Sequence, residues 1–330
     1  MSEDWDGRPQ SDPGGNLQGG GRLEDEVNQD EGRLQDGGHL EDEVNQGGGK
    51  PRPYISRNAS ADTRNVGAGL APARQISPTL QTSSALQTPS PQTPTLQAFL
   101  EGLHQLGLEL TEQQLGQFLL YREDLLDWNT QINLTAITDP EEVLIKHFLD
   151  SLSLLMVYDV PDVRLLDIGA GAGFPGLPLK IVRPQWQVVL LEATGKKVAF
   201  LQHIIETLQL EDVMAVHGRA EELVHKAEYR ASFDMVTARA VASLPALLEY
   251  AAPFCRVGGQ IIFPKKGDLT VELAQGKRAA LQVGARFKAD VPVTLPGLED
   301  GRRLLVWEQV RTSPEQFPRS GGVMTKKPLG

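Results

Sequence analysis

Cysteine is nearly absent from this 330-residue chain. Its one copy, Cys255, excludes an intrachain disulfide and fits a reducing compartment. No apolar run reaches the ~18–20 residues that a membrane span needs. The N-terminus has no basic stretch leading into an apolar one, so no signal peptide is expected and the cytoplasm is the expected location. The six histidines show no H-x-x-x-H spacing, and no metal site is expected. Aromatics are missing selectively: residues 1–95 contain no Phe and only Trp5 and Tyr54. That segment carries eight Lys and Arg against fourteen Asp and Glu. It has too little apolar surface to offset the entropy of ordering, and the expectation is a disordered acidic tail.

What the tail does contain is a repeat. "GRLEDEVNQ" (21–29) recurs as "GHLEDEVNQ" (38–46), with "GRLQD" (32–36) between them. Two polar copies are too few for a solenoid and read as a duplicated segment. Residues 75–95 are a Ser/Thr/Pro/Gln linker. The formal net charge of −11 counts against a nucleic-acid partner, but the tail holds −6 of it and the remainder only −5. A mildly acidic enzyme still binds RNA through a local basic patch.

From Leu96 the chain divides in two. Residues 96–163 read as helices. Leu96, Phe99, Leu100, Leu103 and Leu106 fall at helical spacing, and Thr111 with Gln114 makes a capping box. Asp139, Pro140 and Glu142 begin a long helix through "LIKHFLDSLSLLMVY", again with a capping box. Between them "WNTQINLTAI" (128–137) is too rich in Asn and Thr for a helix interior, and its side chains are expected to bond the backbone and shape a bend. From Arg164 to Gly330, strands alternate with helices: "RLLDIG", "WQVVLLEA", "VMAVHG", "FDMVTARA" and "QIIFPK". Two longer strands follow, expected to be antiparallel to each other. Nearly continuous apolar strands alternating with helices predict a doubly wound, mostly parallel α/β sheet covered on both faces. A ligand is expected over the carboxyl ends of its strands.

"LLDIGAGAGFPGLPLK" (165–180) sits at that edge. A Walker A loop requires Lys-Ser/Thr after the glycines, where this chain has Phe174-Pro175 and Leu177-Pro178. Gly171, Gly173 and Gly176 do satisfy the dinucleotide pattern, and Glu192 lies where a ribose-binding acid belongs. Asp167, however, would face the pyrophosphate with its negative charge, and Pro175 removes an N–H donor where the phosphates need one. Both features suit a ligand whose proximal end is cationic. S-adenosylmethionine is such a ligand: a ribose like that of NAD, with an ammonium and a sulfonium in place of phosphates. The adenine is expected near "RAEE" (219–222).

The motifs "DIGAGAGFPGLPLKIVRP", "WNTQINLTAI", "KHFLDS", "TARAVAS" and "FPRSGGVMTKKPL" together resemble the glucose-inhibited division protein B family, also called RsmG. The resemblance spans residues 96–330 and leaves out the acidic repeats. It implies a class I S-adenosylmethionine-dependent methyltransferase: a Rossmann-like, doubly wound seven-stranded sheet with an N-terminal helical cap. It also implies methylation at N7 of a guanine in the 530 loop of 16S rRNA, with the small ribosomal subunit or an assembly intermediate as partner. A monomer is expected. By motif, the cofactor site takes in Gly169, Phe174, Glu192, Ala193, Thr194, Ala220, Glu221 and Arg239, beside Asp167 and Gly171 from the loop itself. The family usually has Asp where this chain has Glu192, and "RAFA" where it has "RAVA" (239–242).

The residues narrow the chemistry by exclusion. A "[DN]PP[YF]" stretch, the mark of amino-group methylation, is replaced by "TARAVAS". Pyrimidine-carbon methylation needs a nucleophilic cysteine, and Cys255 reads as a small core residue ending a helix. N7 or O methylation remains, and N7 attack requires no general base. No catalytic residue is assigned with certainty, with Arg239 the candidate. Arg239 at a strand end is read as a cofactor or phosphate ligand in preference to a structural ion pair. Lys265, Lys266, Arg319, Lys326 and Lys327 are RNA-facing candidates, against the plainer reading of solvated turns. His147 and Trp128 read as packed residues, His147 on the substrate side, and Asn129 and Asn133 as loop-shaping ones. The rival functions are a nicotinamide-dependent oxidoreductase and a non-catalytic RNA-binding scaffold.

Overall fold

The computed structural model describes residues 94–239 and 242–330, and the readings made of residues 1–93 lie outside them. Helices α1 (Pro94–Gln105) and α2 (Glu112–Asn129) open the described part. The capping box at Thr111 is present: its hydroxyl accepts from the Gln114 amide at 3.2 Å, and the Gln114 side chain accepts from the Thr111 amide at 3.0 Å.

The long helix expected from Asp139 forms in pieces. They are α3 (Pro140–Val143), a π-helical stretch (Leu144–Leu149), α4 (Asp150–Leu152) and a 3-10 turn (Ser153–Met156). Asp139 caps the start by accepting from the Glu141 and Glu142 amides, but no second capping-box bond returns from Glu142. The Glu142 carboxylate holds Lys146 one turn on. Downstream, the Ser151 hydroxyl donates to the His147 carbonyl and the Ser153 hydroxyl to the Asp150 carbonyl, each at 2.6 Å. Such back-bonding competes with the regular helical ladder. The wider turn carries two buried polar residues, His147 and Asp150, toward the sheet.

Seven strands follow: β1 (Arg164–Ile168), β2 (Gln187–Glu192), β3 (Val213–His217), β4 (Phe233–Ala238), β5 (Cys255–Lys266), β6 (Ala285–Pro292) and β7 (Arg302–Gln309). Their order is β3-β2-β1-β4-β5-β7-β6. The first five run parallel and β7 is antiparallel to both its neighbours, as the two long final strands predict. The connecting helices are α5 (Gly176–Val182), α6 (Gly195–Thr207), α7 (Ala220–Leu223), α8 (Leu244–Ala251) and α9 (Thr270–Val283). This is the class I methyltransferase fold, and chain order reverses between β1 and β4, which places the ligand crevice there.

Strand alternation assigns each residue to a face. Leu166, Ile168, Val236 and Ala238 join one core cluster under α7, α8 and α9. Leu165, Leu190 and Met235 join the other, which continues without a break into Phe99, Phe118, Tyr121 and Phe148 of the N-terminal helices. Asp167 shares a face with Leu165, so it points beneath α5 and is completely buried. Its Oδ2 accepts the Gly176 amide, the first of α5, at 2.9 Å, while Oδ1 has no partner among the described residues. Burial raises its pKa to about 7, against the Gly176 amide and the Arg239 charge, which lower it.

Two expectations are corrected in this half. Cys255 does not end a helix: α8 stops at Ala251, and Cys255 opens β5 opposite Phe233. Burial pushes its thiol well above the ordinary range, so it is an inert core group. Arg319, expected to face RNA, is tied down instead. Its Nε and Nη2 each reach the fully buried Glu249 of α8 at 2.7 Å, and its amide adds a third bond at 2.9 Å. A bidentate pair of this kind fixes the closing segment, with its short helix α10 (Gly321–Lys326), against α8.

Two outcomes follow. Glu249→Gln leaves Arg319 without its charge partner and lowers the unfolding free energy by about 1.5–2 kcal/mol in urea titration, in the range for a lost hydrogen bond to a charged group whose remaining partner reaches solvent. Asp167 has a folded pKa near 7, above its unfolded value, so the unfolded state releases this proton first. Its contribution is complete below about pH 4 and is lost as pH rises toward 7. Asp167→Asn, measured by urea unfolding at pH 5 and pH 8, removes that slope and is relatively more stable at pH 8.

Candidate active site

A cavity of about 580 Å3 lies over the carboxyl ends of β1, β2 and β4. The loop after β1 forms its floor with Gly169, Gly171 and Phe174, and Glu192 and Ala193 after β2 form one wall. Ala220 and Glu221 close the far end from α7, and Arg239 closes the near end after β4. Leu134, Thr135 and His147 reach over from the helical part. Of the ten residues expected to hold cofactor, Asp167 and Thr194 are the two that do not line this cavity.

Asp167 lies one layer below, beneath the start of α5, so its carboxylate does not meet a ligand at the lip of β1. Thr194 acts through its backbone: its amide donates to Glu192 Oε1 at 2.8 Å. Glu192 Oε2 accepts the Gly171 amide at 3.0 Å. Gly171 takes the left-handed φ of +60° that lets this amide turn toward the carboxylate. Glu192 therefore stands at the cavity wall with both oxygens oriented by backbone, and each keeps a lone pair for a ribose hydroxyl. Gly173, at φ +94°, is restricted twice over. Any Cβ there would collide with the Tyr121 hydroxyl and Leu177, and that hydroxyl is engaged, donating to the Ala172 carbonyl.

The loop's own amides decide what kind of ligand it takes. Gly169 and Ala170 donate to the Leu191 carbonyl, and Gly173 and Phe174 donate to the Ala170 carbonyl. Gly171 donates to Glu192, Gly176 to Asp167 and Leu177 to the Gly173 carbonyl. Pro175 has no N–H to offer. A diphosphate cradle needs several converging free amides, and here seven of the loop's amides already serve the protein. What the cavity presents is mixed charge, Glu192 and Glu221 against Lys197, Arg219 and Arg239, with apolar surface between them. It is the engaged amides that tell against a diphosphate and leave room for an adenosine carrying a cationic methyl donor.

Arg239 forms a network at the near end. Its Nη1 donates to Asp150 Oδ2 at 3.0 Å, its Nη2 faces His147 Nδ1 at 3.1 Å, and the guanidinium lies 5.0 Å from the Phe174 ring centroid. His147 stacks on the same Phe174, its ring centroid 4.5 Å from that of the phenylalanine. Arginine has no acceptor, so His147 Nδ1 carries the lone pair and Nε2 the proton. Nε2 then donates to the Thr135 hydroxyl at 2.7 Å. Burial, with Arg239 adding to it, lowers the His147 pKa to about 3 and keeps the ring neutral. Arg239 thus lines the cavity and also makes the ion pair that the sequence reading ranked second.

A second cavity of about 400 Å3 adjoins the first, sharing His147 and Arg239 and lined further by Lys146, Lys265, Lys266 and Arg302. Lys265 is partly engaged, bonding Glu272 at 2.8 Å and the Ala242 carbonyl at 3.2 Å. Lys266 pairs with Asp300 at 2.7 Å while its side chain stays 58% exposed. Arg302 turns inward and shares Asp150 with Arg239 at 2.7 Å, whereas Arg303 pairs with Asp290 on β6. Lys326 and Lys327 are exposed at the end of α10 and do not line either cavity.

Sequence reasoning missed Thr135, Asp150, Arg302 and Tyr250, all at these cavities. A signal for Thr135 existed in the Asn/Thr-rich bend, since Asn129 binds the Leu134 and Thr135 amides and the Thr135 carbonyl. Asp150 carried none, because a helix position says nothing of the two arginines that arrive from β4 and β7.

Residues 114–298 match the family described as "GidB: rRNA small subunit methyltransferase G". A ribosomal RNA small subunit methyltransferase G from Dehalococcoides mccartyi (strain CBDB1) is 48% identical over 228 residues, covering 69% of this chain and 97% of that protein. The one from Roseiflexus sp. (strain RS-1) is 45% identical over 223 residues, covering 68% and 95%. The protein of the same name from Acetivibrio thermocellus is 41% identical over 230 residues, covering 70% and 95%. A profile over more than half the chain and relatives matched almost end to end agree with the fold and with the cavity's chemistry, so this chain belongs to the GidB family, the rRNA small subunit methyltransferase G proteins.

Proposed function

We propose that this S-adenosylmethionine-dependent rRNA methyltransferase modifies N7 of one guanine in the 530 loop of 16S rRNA, working in the cytoplasm on the small subunit or an assembly intermediate. The carrying observation is that seven amides of the loop after β1 are donated inward, to Leu191, Ala170, Gly173, Glu192 and Asp167, where an anion cradle would leave them free. That arrangement tells against a nicotinamide dinucleotide and favours a sulfonium nucleoside.

When bound, S-adenosylmethionine supplies an electrophilic methyl group. This chain's residues bind and align. Glu192 accepts from the ribose hydroxyls, the Ala220–Glu221 end receives the adenine, and Phe174 with Arg239 borders the reacting end. Guanine N7 has an in-plane lone pair and is unprotonated near neutrality, so no base is required. His147 fits that requirement: its lone pair faces Arg239 and its proton is donated to Thr135, so it is not available to take a proton. Alignment of nucleophile and methyl can contribute about 7–11 kcal/mol of rate acceleration. Lys265, Lys266 and the second cavity would meet the RNA backbone, with Lys326 and Lys327 as outlying contacts.

The test is chemical mapping of 7-methylguanosine in 16S rRNA from cells with and without the gene. One borohydride-sensitive site in the 530 loop is lost with the gene and restored by the purified protein; an unchanged pattern overturns the reading. Arg239→Ala lowers methylation at least about 100-fold, because the guanidinium aligns the reacting end. It lowers stability by only about 1 kcal/mol in thermal unfolding, because Arg302 remains on Asp150 at 2.7 Å.

A further inference from the structure

The Thr135 hydroxyl is held in one hydrogen-bonding role. Its oxygen accepts from His147 Nε2 at 2.7 Å and from the Ile137 amide at 3.0 Å. A hydroxyl has two lone pairs and one proton. With both lone pairs engaged, only the proton is left, and no acceptor for it stands among the described residues. The direction of the first bond is not free to reverse, because Arg239 at 3.1 Å occupies the lone pair on His147 Nδ1 and so places the imidazole proton on Nε2.

The hydroxyl is also fixed in place. Asn129 Oδ1 accepts the Leu134 amide at 2.9 Å and the Thr135 amide at 3.0 Å, and its Nδ2 donates to the Thr135 carbonyl at 3.0 Å. Ligands are recognised best by donors whose positions are set before binding. Thr135 lines the cavity beside His147 and Arg239, at the β4 side, opposite the Ala220–Glu221 end. With adenine at β3 and ribose at β2, this is the end where the target base meets the methyl group.

We infer that Thr135 reads the target base by donating a hydrogen bond to guanine O6. Beside N7, guanine presents the O6 acceptor and adenine the N6 amino donor. A donor locked in that role matches the first and opposes the second, which would leave two donors facing each other. Arg239 cannot take over this reading in the usual bidentate way. Its Nη1 and Nη2 are directed to Asp150 and His147, and a bond to N7 would block the lone pair that attacks. The inference rests on the guanine-N7 reading above and adds the group that selects guanine.

The test uses small subunits built with 16S rRNA ligated from a synthetic fragment, carrying either guanosine or 2-aminopurine ribonucleoside at the target position. The second base keeps N7 and lacks O6. Wild-type protein is expected to lose at least about tenfold in kcat/KM on 2-aminopurine. In Thr135→Val the two substrates react equally, because the guanosine rate falls to the 2-aminopurine level, while Thr135→Ser keeps the discrimination. If the valine substitution prevents folding, Thr135→Ala carries the same comparison, with S-adenosylhomocysteine affinity verifying that the cofactor half is intact. An equal loss on removing O6 in wild type and in Thr135→Val overturns the inference. Failure of wild type to methylate the guanosine substrate at N7 is the separate result that overturns the reading beneath it.

Discussion

Backbone amides that point inward are the constraint on which this site depends. The loop after β1 folds back on its own carbonyls, on the Leu191 carbonyl and on two carboxylates, Glu192 and Asp167. Glycine-rich turns in this position serve diphosphates when their amides converge on open space. Here the same turn is closed, and Glu192 faces a cavity that Glu221, Lys197, Arg219 and Arg239 also line. The buried Asp167 contributes indirectly. Its carboxyl holds the first amide of α5, and the cost of keeping it out of water's reach appears as a pKa of about 7.

The second organising element is a chain of hydrogen bonds that joins distant parts of the sequence. Asp150 from the helical part holds Arg239 after β4 and Arg302 at the start of β7. Arg239 sets the tautomer of His147, and His147 in turn sets the role of Thr135. The segment that carries His147 and Asp150 is irregular, with a π-helical stretch over Leu144–Leu149 and Ser151 and Ser153 hydroxyls bonded to the His147 and Asp150 carbonyls. The shared hydrophobic core of the N-terminal helices and the sheet keeps the two halves in register.

Much of this was legible from residues alone. Apolar strands alternating with helices implied the parallel sheet, and the Walker A reading failed for want of Lys-Ser/Thr after the glycines. Of the two grounds against a dinucleotide, Asp167 and Pro175, only the missing amide of Pro175 bears on the cavity. The family resemblance and its methyl donor agree with the comparisons. What was not legible was the depth of Asp167. Its position at the end of β1 was clear, but its side-chain direction depends on α5 covering that face of the sheet. That Arg319 and Lys265 are paired was hidden for a similar reason, since Glu249 and Glu272 come from helices 70 and 7 residues away in sequence. Spacing identifies a cation, and only packing reveals its partner.

The most direct test of the closed-loop account is calorimetric titration of the protein with S-adenosylmethionine and, separately, with NAD. The account predicts saturable one-to-one binding of the sulfonium nucleoside and no measurable heat from the dinucleotide. Tight binding of NAD, with S-adenosylmethionine unable to displace it, would contradict it.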